Sequence, residues 1–202
     1  MDLIIETVKK LETMMKDSGC EEGGIILDVR SDTENCQFER GACMTAAFGG
    51  RSADFVTFDP VRAKTKISFI FGMPLETSQV RGAAVAIVNV ATGFFCLSRV
   101  LHSCPASSHT ECNSQLIHEL RGKRIFCIGT IPVVDAEFRS CNVTNPQDAE
   151  VILINGEGII EPDTGDSIRA ARENTRILCL GPSTAGVARL NQLELWCPFG
   201  TC

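Results

Sequence analysis

Three apolar runs in the second half of the chain dominate its hydrophobic pattern, and a glycine follows each of them closely. They occupy residues 123–128, 149–154 and 176–180, and the glycines are Gly129, Gly156 and Gly181. Such near-continuous runs are typical of parallel strands that are buried on both faces. Helical patterns between the runs predict crossover connections and therefore a doubly wound α/β sheet. Residues 138–143 and 193–196 are expected to add strands to it.

The first half has a different pattern. An amphipathic helix is predicted over residues 3–16, where Ile4, Val8, Leu11 and Met15 form one apolar stripe. Short strands are predicted at residues 25–29, 36–40, 44–48, 54–58 and 66–71, and because no helix separates them they should form an antiparallel meander. A helix of small apolar residues follows over residues 76–101, with a break at Gly93 as the alternative. These elements predict a small α+β domain over residues 1–105 and a parallel-sheet domain over residues 106–202.

The glycine-terminated runs also predict where a ligand binds. In doubly wound sheets ligands lie outside the carboxyl ends of the strands, so the residues there are candidates. Asn89 joins them because an amide inside an apolar helix needs a hydrogen-bond partner. The predicted ligand-binding set is Asn89, Gly129, Pro132, Asn155, Glu157, Gly181, Ser183 and Thr184. The alternatives are that Asn89 bonds neighbouring backbone, that Glu157 lies in a solvated loop, and that Ser183 and Thr184 cap the next helix.

All three histidines of the chain fall between residues 101 and 120, together with two cysteines. Ser108 and Glu111 have the spacing of a capping box, which would start a helix there. His109 and Cys112 would then lie on one helical face, near a helix dipole that favours thiolate. With His102 and Cys104 they predict a metal site of four ligands, for zinc or another transition metal. The alternative is an interdomain linker with polar histidines.

Composition narrows the classes of protein. The chain has 202 residues, 44% of them hydrophobic and 22% charged, which is enough for a substantial core. A net charge of −6 gives no general attraction for nucleic acid or for an anionic membrane, so neither is expected as a partner. No apolar run is long enough to span a bilayer, and no signal-peptide layout is present at the start, which predicts a cytoplasmic protein. The eleven cysteines are then expected to be free thiols.

Several motifs of known chemistry are absent. The turn after the first run, Gly129-Thr130-Ile131-Pro132, lacks the further glycines of the dinucleotide fingerprint, so no NAD is expected. The chain also has no Gly-Lys-Ser/Thr phosphate loop and no Gly-x-Ser-x-Gly nucleophile elbow.

The glycine-terminated runs resemble an uncharacterised family described as a heavy-metal chelation domain. The resemblance rests on residues 122–132, on residues 151–156, and above all on Gly181-Pro182-Ser183-Thr184. It covers roughly residues 74–202, and Arg81, Ala84 and Asn89 are similar to residues in the last helix of that family's first domain. The resemblance implies a Rossmann-like, three-layer C-terminal domain with a parallel sheet, preceded by an α+β domain similar to the N-terminal domain of enolase.

The chain departs from this family at two places. Cys141-Asn142-Val143 stands where the family has an acidic residue with an arginine, and residues 161–164 stand where it has Asn-x-Thr. The first functional hypothesis is that the protein binds a metal ion or a small molecule in the cleft between its two domains. The alternatives are a Rossmann-like transferase-type enzyme with a nucleoside-bearing cofactor, and a non-catalytic interaction protein. The pattern leaves open whether the protein is an enzyme, and it is compatible with a homo-oligomer.

Overall fold

The computed structural model describes residues 2–31 and 33–202, and its first half is an antiparallel sheet backed by two helices. Helix α1 is Leu3–Met15 and helix α2 is Ser78–Phe94. The strands are β1 (Gly24–Arg30), β2 (Ala42–Phe48), β3 (Arg51–Thr57) and β4 (Ala63–Lys66). They pair antiparallel in the order β3-β2-β1-β4. Strands β1, β2 and β3 thus form the predicted meander, whereas β4 pairs with β1 instead of β3. Strand β3 lies at one edge of the sheet.

Alternation along these strands gives the sheet one buried face and one open face. Ile25 and Leu27 are buried in the core with α1 and α2, whereas Ile26 between them is 50% exposed. The register sets Ile26 opposite Ala47, and Ala47 opposite Ser52. Because side chains of paired residues lie on the same side of a sheet, Ser52 projects from the open face together with Ile26.

The second half is a parallel sheet with the order β5-β6-β7-β8. Its strands are β5 (Ile125–Ile128), β6 (Val151–Ile154), β7 (Arg176–Leu180) and β8 (Glu194–Trp196). The helices are α3 (His109–Leu120), α4 (Pro132–Glu137), α5 (Gly156–Ile159), α6 (Thr164–Ala170) and α7 (Ala185–Asn191). The predicted α/β class, a parallel sheet preceded by an α+β unit, is confirmed.

The parallel sheet is buried on both faces, as its apolar runs predict. Ile152 and Ile154 of β6 belong to the core that also contains α1 and α2, whereas Val151 and Leu153 belong to a second core with α3 and α4. This alternation makes three layers. The first core runs without interruption from the antiparallel sheet through α2 to α7, since residues of all three belong to it. The domain boundary after residue 105 stays a prediction.

Several predicted elements are wrong. Residues 36–40 are not a strand, because Phe38 is buried in the second core and the chain leaves the sheet there. Residues 66–71 are mainly a 3-10 turn (Ile67–Ile70), and residues 138–143 make only one bridge, between Asn142 and Ile125. The helix predicted to reach residue 101 ends at Phe94. Ser108 precedes α3, but its side chain makes no capping hydrogen bond, so the predicted capping box is not formed.

No helix in the described part of the chain is both long and apolar enough to cross a membrane.

The turn between β5 and α4 requires glycine at position 129. Gly129 has a φ of +88°, a conformation that side chains disfavour. A Cβ atom built on it would overlap the Oδ1 atom of Asn155 and would lie 2.7 Å from the Gly158 nitrogen. The chain therefore approaches itself closely at the end of β5.

We expect Gly129→Ala to destabilise the protein by more than the conformational cost of about 1–2 kcal/mol that a left-handed alanine carries. The matched control is Gly122→Ala, because Gly122 has a φ of +74° but nothing within 4 Å of a built Cβ. Urea unfolding of both variants measures the difference, which is the cost of the overlap alone. Equal losses in the two variants would show that the close approach contributes nothing.

Candidate functional site

The carboxyl ends of β5 and β6 are joined by the amide of Asn155. Its Oδ1 accepts a hydrogen bond from the Gly158 nitrogen at 2.9 Å. Its Nδ2 donates to the carbonyl of Thr130 at 2.8 Å and to that of Phe38 at 3.0 Å. Asn155 is fully buried, so all of these bonds are made with protein groups. The Glu157 carboxylate accepts from the Thr130 nitrogen at 3.3 Å and ties the same two turns together.

The end of β7 is held in the same way by Asn89. The Asn89 Nδ2 donates to the Ser183 carbonyl at 2.9 Å, and its Oδ1 accepts from the Gly186 nitrogen at 2.8 Å. Thr184 turns its hydroxyl back to the carbonyls of Leu180 and Gly181, at 3.2 and 3.0 Å. Asn89 lies beside the Gly-Pro-Ser-Thr turn, where the sequence puts it, but it is 1% exposed and its partners are backbone groups.

A carboxyl group of the first half closes the gap between these strand ends. The Glu39 Oε1 accepts from the Ser183 nitrogen at 3.1 Å, and its Oε2 is buried without a hydrogen-bond partner among the described residues. Burial raises the pKa of Glu39 to about 8, against the two hydrogen bonds from Ser183, which lower it. Glu39 is therefore protonated at neutral pH, which removes the cost of an unpaired buried charge.

The predicted ligand residues are thus brought together, but around protein groups. Gly129, Asn155 and Glu157 form one network, and Asn89, Gly181, Ser183 and Thr184 form a second. Pro132 opens α4 as its first residue, where a proline needs no N–H partner. A nucleoside-bearing cofactor at these strand ends would have to displace the segment that carries Phe38 and Glu39. The ligand-binding role of the eight residues predicted from the sequence stays a prediction.

A second set of polar groups lies on the open face of the antiparallel sheet. His102 places its Nδ1 at 3.0 Å from the Asp54 Oδ2 and its Nε2 at 3.3 Å from the Ser52 Oγ. Thr45, opposite Asp54 on β2, donates its hydroxyl to the other carboxylate oxygen at 2.9 Å. Burial alone would raise the pKa of Asp54, but the hydrogen bond and charge of His102 and the hydroxyl of Thr45 lower it. The Asp54 side chain therefore carries a negative charge at neutral pH.

Two open depressions adjoin this set. The first, which we call the His102 depression, has a volume of about 380 Å³. Its lining includes Arg30, Glu34, Asp54, His102, Cys104 and Thr201. The second, which we call the hairpin depression, has a volume of about 420 Å³. Its lining includes Ile26, Ala47, Gly49, Gly50, Arg51 and Ser52.

The predicted metal ligands do not fit a metal ion in this arrangement. His102 has Asp54 and Ser52 as partners for its two ring nitrogens. Over residues 2–31 and 33–202, no three His, Cys, Asp or Glu side chains are grouped so that they could hold an ion. The Nε2 atom of His109 is buried and has no hydrogen-bond partner among the residues that the structure describes. Metal binding by His102, Cys104, His109 and Cys112 stays a prediction without support from this geometry.

The thiolate expected for Cys112 is not favoured by its surroundings. Burial raises the pKa of Cys112 and of Cys104, so both are protonated at neutral pH despite the nearby start of α3. Cys197 lies near both of these thiols and Cys36 lies near Cys104 and Cys197, and burial raises the pKa of Cys36 and of Cys197 as well. The four residues are therefore a largely buried group of neutral thiols, which act as small apolar side chains.

A larger depression, about 760 Å³, lies at the opposite, amino-terminal edge of the parallel sheet. Part of its charged lining is engaged in ion pairs: Arg176 contacts Glu119 and also Glu194, and Arg124 lies 3.8 Å from Glu150. These are surface ion pairs, and ligands of doubly wound sheets bind at the other edge. This depression therefore ranks below the two on the antiparallel sheet as a candidate site.

Three of the residues that matter here escaped the sequence analysis: Glu39, Ser52 and Asp54. The predicted strand begins at Asp54, whereas the observed strand begins at Arg51 and includes Ser52. With that longer strand, the strand period places Ser52 and Asp54 on one face. Nothing local in the sequence pairs them with His102, which is brought there by the hydrogen bond from the Asp54 nitrogen to the Leu101 carbonyl. Nothing in the sequence marks Glu39 as buried, because a glutamate is ordinarily exposed.

Glu39 predicts a pH dependence of stability. Its pKa is raised in the folded protein to about 8 from an ordinary value of 4.5, so the folded state binds one proton more between these values. As pH rises between these two pKa values, Glu39 should therefore lower the free energy of unfolding by about 1.4 kcal/mol per pH unit. Its contribution to stability should be highest below this pH range. Glu39→Gln should remove that slope, because an amide keeps the hydrogen bond from Ser183 and does not ionise.

Urea unfolding of the wild type and Glu39→Gln at pH 5.5 and pH 8 measures this effect. Glu12→Gln is the matched control, since Glu12 is exposed on α1. A Glu39→Gln variant with the same pH slope as the wild type would contradict the burial of a protonated carboxyl group.

No protein-family model matches this chain, and no curated protein matches it. Two solved structures have a similar fold. One is a protein of unknown function from the DUF364 family of Pyrococcus horikoshii, with a TM-score of 0.50, 14% identity, and coverage of 90% of this chain and 79% of that one. The other is a DUF364 protein of unknown function from Desulfitobacterium hafniense DCB-2, with a TM-score of 0.55, 10% identity, and coverage of 93% and 82%. At these identities the similarity establishes the fold and no activity.

Proposed function

We propose that the protein binds a small, uncharged polar molecule in the His102 depression. The observation that carries the proposal is the Asp54–His102 pair at the floor of this open space. The Asp54 side chain is only 5% exposed, whereas that of His102 is 24% exposed. A buried carboxylate that orients a partly accessible imidazole is an arrangement common at functional sites.

The position of the depression supports this proposal. Asp54 comes from the antiparallel sheet, His102 and Cys104 from the segment between the two halves, and Thr201 from the end of the chain. His102 and Thr201 are joined by backbone hydrogen bonds in both directions, at 3.0 and 3.1 Å. The site is thus assembled from three distant parts of the sequence, on the side of the molecule where the two halves meet. Its volume of about 380 Å³ suits a small molecule.

The charges of the lining indicate the class of ligand. Arg30 and Glu34 carry opposite charges at the rim, and the negative charge of Asp54 is already shared between His102 and Thr45. Among the described lining residues, the exposed charges are therefore one of each sign, and the negative charge of Asp54 is buried, so the lining does not favour an ionic ligand. A neutral molecule with a carbonyl or hydroxyl group could bond to the imidazole and the rim without leaving a charge unpaired.

A ligand-observed NMR screen tests this proposal. We expect small neutral carbonyl and hydroxyl compounds to bind, and their carboxylate and amine analogues to bind less. Because the imidazole is the accessible polar group of the floor, His102→Gln should weaken binding at least about tenfold, or 1.4 kcal/mol.

His118→Gln is the control, since His118 is exposed on α3 and far from this sheet in the fold. Compounds that bind His102→Gln and the wild type equally, and whose binding is weakened by Glu157→Gln instead, would place the ligand at the strand ends and contradict the proposal.

A further inference from the structure

The hydroxyl of Ser52, the imidazole of His102 and the carboxylate of Asp54 are linked by hydrogen bonds. Ligand binding alone does not require this arrangement. With the imidazole proton on Nδ1, His102 donates to Asp54 at 3.0 Å, and its Nε2 is left to accept from the Ser52 Oγ at 3.3 Å. The second oxygen of Asp54 accepts from Thr45 at 2.9 Å, which holds the carboxylate in place. A serine, an imidazole and a buried carboxylate in this order can activate the serine oxygen as a nucleophile.

We infer that Ser52 is the nucleophile of an acyl-transfer site that hydrolyses small esters. The inference rests on the proposed ligand site, because His102 and Asp54 belong to both. It names the substrate class as a neutral ester, whose carbonyl carbon is attacked by Ser52. His102 acts as the general base, and Asp54 is a positioning residue that keeps the imidazole in the required tautomer.

The geometry of β3 produces this arrangement. Ser52 and Asp54 are two residues apart, so their side chains project from the same face of the strand. β3 is an edge strand, and on its outer side the Asp54 nitrogen donates to the Leu101 carbonyl at 2.8 Å. That bond holds the following residue, His102, alongside the two side chains. The three groups are therefore positioned by one strand and one backbone contact.

The same strand supplies a donor for the charge that develops on the substrate oxygen. The nitrogens of Asp54 and Val56 both point away from β2, toward the Leu101 carbonyl and the Ser183 hydroxyl. Because alternate residues of an antiparallel strand point their N–H groups to the same side, the Ser52 N–H points to this edge too. The nucleophile's own N–H can then donate to an oxyanion.

The two depressions divide the substrate between them. The hairpin depression borders Ser52 with Ile26 and Ala47, so its wall is apolar and can hold a short acyl chain. The turn of Gly49 and Gly50 adds no side chains that would fill this space. On the other side of His102, the polar His102 depression can hold the alcohol portion. Short acyl chains are therefore favoured over long ones, since the hairpin depression is open and shallow.

The reaction proceeds in two halves. In the first, the Ser52 oxygen bonds to the carbonyl carbon and its proton passes to the Nε2 of His102. The bond to the alcohol oxygen breaks, and that oxygen leaves with the proton from His102. In the second, a water molecule gives one proton to His102 and bonds to the acyl carbon, and the Ser52 oxygen leaves and recovers that proton. The sum is an ester plus water giving an acid plus an alcohol.

A fluorophosphonate probe tests the nucleophile, because its phosphorus bonds to an activated serine oxygen as fluoride leaves. We expect intact-mass analysis to show one adduct on the wild type, and peptide mapping to place it on Ser52. Ser52→Ala should lose the adduct, and His102→Gln should be labelled at least tenfold more slowly. Hydrolysis of p-nitrophenyl acetate should fall in the same two variants and exceed that of the octanoate in the wild type.

Ser114→Ala is the control, since Ser114 is exposed and donates its hydroxyl to the Thr110 carbonyl within α3. A wild type without an adduct on Ser52, or with equal labelling in His102→Gln, overturns the inference. Binding of the neutral compounds to Ser52→Ala, measured alongside, separates the two proposals. If they bind while Ser52 is unlabelled, the ligand site stands and the nucleophile does not. If Ser52 is labelled while none of them binds, the nucleophile stands and the proposed ligand class is wrong.

Discussion

The hydrogen bonds of one residue, Ser183, hold the two halves of the protein together. Its hydroxyl accepts from the Val56 nitrogen of β3 at 2.9 Å, its nitrogen donates to Glu39, and its carbonyl accepts from Asn89 of α2. Ser183 is fully buried, so each of these bonds would cost free energy if it were left unmade. Three elements of the first half are thereby fixed on the turn that follows β7.

These contacts around Ser183, which we call the junction, determine which surfaces of the protein remain accessible to a ligand. The strand ends that bind ligands in other doubly wound sheets are filled here by Phe38 and Glu39, and a neutral carboxyl group occupies the position of a ligand anion. Because Val56 is anchored at the junction, the rest of β3 is held rigidly at the sheet edge. Ser52 and Asp54 on that strand can then meet His102, which approaches along the same edge. The polar groups on the open face of the antiparallel sheet are therefore accessible to a ligand, whereas those at the strand ends are not.

The fold was predictable from the sequence because burial on both faces leaves continuous apolar runs, and glycine marks where each run turns. The position of Asn89 was also predictable, since a polar amide in an apolar helix must find partners. Two features of the structure could not be predicted from the sequence. The hydrogen bond of Ser52 to His102 spans fifty residues, and no local pattern encodes it. The burial of Glu39 depends on the chain leaving the sheet at Phe38, where the alternation of residues 36–40 wrongly predicted a strand.

Native-state hydrogen exchange at the Val56 and Gly186 amides tests most directly whether the junction between the two halves stays closed in the native protein. Both amides donate to buried side chains at this junction, Val56 to Ser183 and Gly186 to Asn89. If the junction is a permanent part of the core, they should exchange only through global unfolding, with a free energy equal to that from urea unfolding. Exchange of both through a much smaller opening, insensitive to denaturant, would show that the two halves separate in the native protein and that the strand ends are an accessible cleft.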